Sequence, residues 1–155
     1  MVWVAFSSRR RTPLHVFRQN VSGLLYRDEI LQPLVVPFFQ VHADVVSFQH
    51  NNARPHMARV AVEFLQQNDI AVTPWPSFSP VMAPIEHACD EFGRMVRAGQ
   101  RPNNLQDLEE ALHREWAQNP QAFFQRLVDS MRRRCNACVN ARGGHTRYRR
   151  RQKMF

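Results

Sequence analysis

Prolines set hard limits on what the middle of this chain can build: Pro33 and Pro37, Pro55, Pro74 and Pro76, and a run ending at Pro84. A proline ring fixes φ and removes a backbone donor, so a helix or central strand stops near one unless the proline lies in the first turn. The segments between are therefore short. Val2-Trp3-Val4-Ala5-Phe6 and Pro13-Leu14-His15-Val16-Phe17 are β-branched and aromatic runs joined by a polar, arginine-rich turn, which reads as a hairpin. Ser22 predicts the cap of a helix through Tyr26, Ile30 and Leu31, which Pro33 and Pro37 break or restart. Residues 45–50 carry a strand signal ending at Asn51. Pro55 opens a helix with the apolar stripe Met57, Val60, Ala61, Phe64 and Leu65, and residues 70–73 form a short strand stopped by Pro74 and Pro76.

A proline-punctuated loop over 77–84 then delivers Ile85 into a helix expected to bury Ile85, Cys89, Phe92 and Val96, with Glu86 in its first turn. Asn104 predicts the cap of a helix carrying Leu105, Leu108, Leu112 and Trp116. Asn119-Pro120 starts another, which Gly143-Gly144 ends. Strands alternating with helices favour an α/β layer fold. A chain of 155 residues, 44% of them hydrophobic, is long enough for one domain with a core. It has no apolar run of about 18 residues, so no membrane span is expected. The apolar start is too short for a secretory signal and runs into Ser7-Ser8-Arg9-Arg10-Arg11. Three cysteines give no disulfide framework and suit a reducing compartment.

Charge is unevenly placed. Residues 126–155 hold ten Lys/Arg against one acid, Asp129, for a net of +9, while the first 125 residues net −1. A block of this kind attracts polyanions by counterion release, nucleic acid being the usual partner; a solvated basic tail or a nuclear-import signal is the plainer alternative. Arg132, Arg133 and Arg134, with Arg147, Arg149, Arg150, Arg151 and Lys153 around Tyr148, suit phosphate contacts but carry no base-reading pattern.

Two stretches carry a more specific signal. Phe48-Gln49-His50-Asn51-Asn52-Ala53-Arg54-Pro55-His56 and Ser79-Pro80-Val81-Met82-Ala83-Pro84-Ile85-Glu86-His87 are placed so that 34 residues separate Asn51 from Glu86. They resemble the catalytic core of the Tc/mariner transposases, in which a Q-D-N-A-R-P-H segment carries the second metal-binding aspartate and an S-P-D-L-N-P-I-E-H segment the third carboxylate. Residues 26–33 resemble that family's first core helix, and residues 132–148 its C-terminal end. The resemblance implies an α/β, ribonuclease H-like domain over residues 1–144 with C-terminal helices, followed by a basic tail over 145–155. It also implies DNA transposition chemistry driven by two Mg²⁺ or Mn²⁺ ions held by carboxylates, and a nuclear location.

The departures from the family pattern set further expectations. Asn51 places a neutral amide where the aspartate belongs, and the strand bearing the first aspartate would precede Met1. Val81 and Ala83 stand for Asp and Asn, Cys89 for Trp, and Val4 for a glycine. Glu86 is then the sole residual metal ligand, with Asp90 a possible helper one turn on. The expectation is a transposable-element-derived domain that binds no metal productively and does not cut DNA; the rival is a non-enzymatic nucleic-acid-binding module acting through its basic end. The family's paired DNA-binding helices are not recognised, so contact with DNA is expected to be non-specific. A sheet lacking its first, central strand would leave inner edges unpaired, so the hairpin either pairs directly with residues 45–50 or stays loosely attached, and exposed edges favour self-association or pairing with an intact transposase.

Two other clusters invite metal readings. His50, His56 and His87 flank the site, but each has a local packing reason. Cys135 and Cys138 with His145 imitate part of a zinc signature without a fourth ligand. Phe124, Leu127, Val128, Met131, Cys135 and Cys138 fall on one helical stripe, which favours cysteines packed in the core.

Overall fold

The computed structural model describes residues 1–77, 79, 82–99, 102–142, 144 and 146. They fall into two compact units: Met1–Ala5 with Thr12–Phe78, and Phe6–Arg11 with Ser79–Phe155.

The first unit opens on the expected hairpin. Strands β1 (Val2–Trp3) and β2 (His15–Val16) run antiparallel, with Val2 opposite Val16 and Trp3 opposite His15. Phe17 N donates to Met1 O at 2.7 Å, and Thr12 N donates to Ala5 O at 2.9 Å. Ser22 caps the following helix as its residue type requires, its Oγ accepting from Leu25 N at 3.1 Å. The helix proceeds as α1 (Gly23–Tyr26), a π-helical stretch (Arg27–Val35) and α2 (Val36–Val41). Pro33 does not break it. It lies inside the wide π turns, where the i→i+5 pattern leaves room for a ring that an α-helix would push against its carbonyls. Pro37 restarts regular helix in the first turn of α2.

The inner face of this helix supplies Tyr26, Ile30, Leu31 and Val35 to a core completed by Phe17, Phe48, Ala61, Leu65 and Ile70. Ala61 and Leu65 come from α3 (Arg59–Gln67), so the stripe read from the sequence is correct at those positions; Met57 lies before the helix and is exposed. Packing between α1 and the turn before α3 is tight enough that a Cβ on Gly23 would overlap the Ala58 Cβ.

The two expected strands shrink to one contact. Residues 45–50 and 70–73 meet in a single parallel bridge between Phe48 and Val72, with Phe48 N donating to Ala71 O at 2.7 Å and Thr73 N to Phe48 O at 2.8 Å. Among the described residues the hairpin does not pair directly with residues 45–50. Val46, 82% exposed, has no layer to pack on, and this removes the usual reason for strand regularity.

The second unit is helical. Helix α4 (Pro84–Ala98) starts with its proline in the first turn, and α5 (Leu105–Gln118) is capped by Asn104, whose Oδ1 accepts from Asp107 N at 2.9 Å. Asp107 returns the contact, accepting from Asn103 N at 2.9 Å. The buried residues of α4 are Ala88, Phe92 and Val96 and those of α5 are Ala111 and Trp116, whereas Cys89 and Leu105 are exposed. The expected stripes were thus one position out of phase at Cys89 and one turn too long at Leu105.

One helix was expected after Asn119-Pro120; there are two, α6 (Gln121–Asp129) and α7 (Met131–Asn140). Ser130 divides them, its hydroxyl donating back to Leu127 O at 2.6 Å. Asn119 closes α5 rather than capping α6: its backbone N donates to Glu115 O at 3.2 Å and its amide lies 3.4 Å from Met95 Sδ.

Phe124 is fully buried at the centre of this unit, with the rings of Phe6, Trp116 and Phe123 at 4.9, 5.1 and 5.2 Å. Arg11 reaches over it, 5.3 Å from the Phe124 ring and 5.7 Å from Trp116, and donates to Asn119 O and, at 2.9 Å, to Ala117 O. A cation here meets the carbonyls that the end of α5 leaves unpaired and the negative end of its dipole. Arg11→Ala is expected to lower unfolding stability by about 1.5–3 kcal/mol, with Arg11→Lys recovering only part because an ammonium cannot span two carbonyls. Urea unfolding midpoints of the three proteins check this; an unshifted Arg11→Ala midpoint would refute it.

Candidate functional site

The turn after Phe48 is built by side-chain hydrogen bonds rather than regular pairing. Asn51 is exposed, and its Oδ1 accepts from Ala53 N at 3.1 Å, the two-residue reach that lets asparagine imitate a backbone turn. His56 N and Met57 N then donate to Ala53 O at 2.9 and 3.1 Å. His56 Nδ1 lies 3.1 Å from Asn51 O, and since a carbonyl only accepts, that nitrogen carries the proton. Arg54 is exposed in the same turn.

Behind the turn lies a stack of rings. His50 and His56 are parallel at 4.9 Å, and Tyr26 sits 4.4 Å from His56 with its hydroxyl 3.4 Å from His50 Nδ1. Burial pushes the Tyr26 phenol up, well above its ordinary value. It pushes His50 down to about 4, helped by the neighbouring charge of His56, and pushes His56 down as well against the opposing hydrogen bond that its Nδ1 donates to Asn51 O. Both imidazoles are therefore neutral at pH 7.

This has a pH consequence. In the unfolded chain His50 takes a proton below pH 6.5, while the folded group does not until about pH 4, so the unfolded state gains as pH falls through that window. After discounting for the water that still reaches the ring, unit 1 is expected to lose about 1–2 kcal/mol between pH 7 and pH 4, with no further loss from this group below. Unfolding of His50→Gln should show a flatter decline over the same range; an equal decline would assign it to other groups.

Glu86 lies in the first turn of α4, half-buried, its N donating to Ala83 O at 3.2 Å, in the place where a carboxylate favours the helix dipole. His87 follows it, and Asp90 is one turn further on. Asn51 belongs to the first unit and Glu86 to the second. Among the described residues no group of three or more His, Cys, Asp or Glu side chains is arranged to hold a metal ion. Mg²⁺ favours anionic oxygen ligands, whereas Asn51 offers a neutral amide oxygen that already accepts from Ala53 N.

The basic segment is partly reassigned. Arg132 and Arg133 are exposed on α7, as phosphate contacts require. Arg134 is only 3% exposed and its Nε donates to Ser130 Oγ at 2.8 Å, so it braces the α6–α7 junction rather than the surface. Ser130 is the cause: by ending α6 it resets the phase of α7, so that Arg134 turns inward and Cys135, expected in the core, is exposed, with Cys138 half-buried. Arg147, Arg149, Arg150, Arg151 and Lys153, like His145, lie outside the described residues. The sequence places Tyr26 on its helix and Arg11 in an arginine-rich turn but does not reveal what either touches, because both act on partners distant in the chain.

Comparison with known proteins bears on the origin of this arrangement. No family model matches the chain. The chain is 30% identical over 149 residues to the transposase of transposable element Tcb2 from Caenorhabditis briggsae, a match covering 96% of this chain and 54% of the relative. The Tc1 transposase of Caenorhabditis elegans matches to the same extent. Along nearly its whole length the chain is similar to transposases of the Tc1/mariner family. It spans about half the length of the curated relatives it matches. The fold agrees with that of the catalytic domain of the Mos1 mariner transposase, in a crystal structure of that domain and in a structure with raltegravir and Mn: TM-scores are 0.81 and 0.80 at 21% and 23% identity, over 94% of this chain and 74–76% of those chains. The ribonuclease H-like class expected from the Tc1/mariner resemblance is therefore supported.

Proposed function

We propose that this chain is a transposase-derived domain that has kept the Tc1/mariner fold, has lost metal-dependent DNA cleavage, and contacts nucleic acid through its basic C-terminal end in the nucleus. The observation that carries the loss of cleavage is Asn51. At the position where the family resemblance calls for an aspartate, it offers a neutral amide whose oxygen already accepts from Ala53 N. Removing one full negative charge from a site that must hold two divalent cations weakens exactly the attraction on which the chemistry depends. Mos1 complexes with transposon ends and with Mn or Mg support DNA as the partner class and divalent ions as the ancestral cofactor.

The nucleic-acid reading draws on the exposed Arg132 and Arg133 and on the net charge of +9 beyond residue 125. Incubation of the purified chain with supercoiled DNA and Mn²⁺ is expected to leave the DNA closed, and Glu86→Gln is expected to behave identically. Nicking by the natural chain that disappears in Glu86→Gln would overturn the loss of cleavage, while leaving the binding reading to its own test by salt titration.

A further inference from the structure

Helix α7 presents two thiols that the function proposed above does not use. Cys135 is exposed and Cys138 half-buried. They are three residues apart in a regular helix spanning Met131–Asn140. At 1.5 Å rise and 100° per residue on a radius of about 2.3 Å, such a pair has Cα atoms about 5 Å apart. That lies inside the span of about 4.4–6.8 Å that a disulfide accepts. The inward side of α7 is held by Arg134 bonded to Ser130, which fixes the rotation of the helix and keeps Cys135 outward. Arg132 is likewise three residues from Cys135 and exposed, with Arg133 beside it, so an anionic reagent is drawn to the exposed thiol.

We infer that Cys135 and Cys138 form a dithiol–disulfide pair that exchanges with small anionic disulfides of the glutathione class. The Cys135 thiolate attacks one sulfur of the small disulfide; its S–S bond breaks, one small thiolate leaves, and a mixed disulfide forms on Cys135. The Cys138 thiolate then attacks the Cys135 sulfur, closing the Cys135–Cys138 bond and expelling the second small thiolate. Two protein thiols are oxidised, one small disulfide is reduced to two thiols, and the two protons lost by the cysteines end on those products. The exposed cysteine is the attacking group and the half-buried one resolves, since attack needs access and resolution needs only proximity. This inference does not depend on DNA binding.

The test treats the folded full chain with oxidised glutathione, blocks remaining thiols and digests with trypsin, which cuts after Arg134 and Arg142 and so places both cysteines in one peptide. The expected result is that peptide lighter by two hydrogen atoms, with Cys89 still recovered as a free thiol. In Cys138→Ser the same treatment should leave glutathione attached to Cys135; in Cys135→Ser the peptide should stay unmodified. Unchanged thermal unfolding of both variants would show that the fold is intact. The inference fails if the natural chain keeps both thiols reduced, if Cys89 reacts first, or if Cys138→Ser accumulates no mixed disulfide.

Discussion

Phe124→Ala should cost the second unit about 3–5 kcal/mol, the full price of removing a large buried ring with little room for its neighbours to collapse. Phe124 has no exposed surface, and rings from four other positions lie within 6.2 Å of its centroid: Phe6, Phe92, Trp116 and Phe123. Arg11 also rests above it, so truncation removes a cation–π contact along with the apolar packing. A domain's whole stability is only about 5–15 kcal/mol, so this one substitution is expected to bring the unit close to unfolding at 37 °C. Phe123→Ala, at a half-buried site on the same helix, should cost distinctly less. Urea unfolding followed by Trp116 fluorescence and by circular dichroism would measure both, and a Phe124→Ala loss under about 1.5 kcal/mol would mean that the ring cluster is not the centre of this core.

Removing residues 147–153 is expected to have the largest effect on nucleic-acid binding. That stretch carries Arg147, Arg149, Arg150, Arg151 and Lys153. Each phosphate neutralised contributes about 0.9 to the slope of log affinity against log salt, so the deletion should flatten that slope by about 4–5 and weaken binding near 0.1 M salt by roughly a hundredfold or more. The structure adds an internal comparison. Arg132→Gln with Arg133→Gln should flatten the slope by about 2, both side chains being exposed, whereas Arg134→Gln should leave it unchanged and lower stability instead. Duplex binding measured from about 50 to 300 mM salt distinguishes these outcomes. Full binding by the deleted chain at moderate salt would rule out the basic end as the contact surface.

What could be read from the residues follows the range over which each acts. Ser22 and Asn104 were legible as caps because a cap bonds an amide three residues on, inside the window that a sequence displays. The hairpin was legible because its strands are joined by a short turn. The strand signals over 45–50 and 70–73 promised more than forms, since pairing between them depends on a bridge spanning 24 residues and on a face to pack against. The break at Ser130 was hidden by an apolar stripe that runs through it without interruption, and every misplaced side chain on α7 follows from that one lost phase. At the candidate site, Asn51 and Glu86 were legible by family resemblance. The Tyr26–His50–His56 stack was not, because nothing in the segment around Tyr26 announces a partner 24 or 30 positions later.

The backbone leaves the first unit after Ala5, returns at Thr12 and departs again after residue 78. A scission near residue 78 therefore does not yield two self-sufficient halves: the downstream piece would hold Trp116, Asn119 and Phe124 but lack the Phe6 ring and the Arg11 clasp that close over them. Residues 6–11 belong to the second unit, and damage at Arg11 is felt by a helix end 108 positions away.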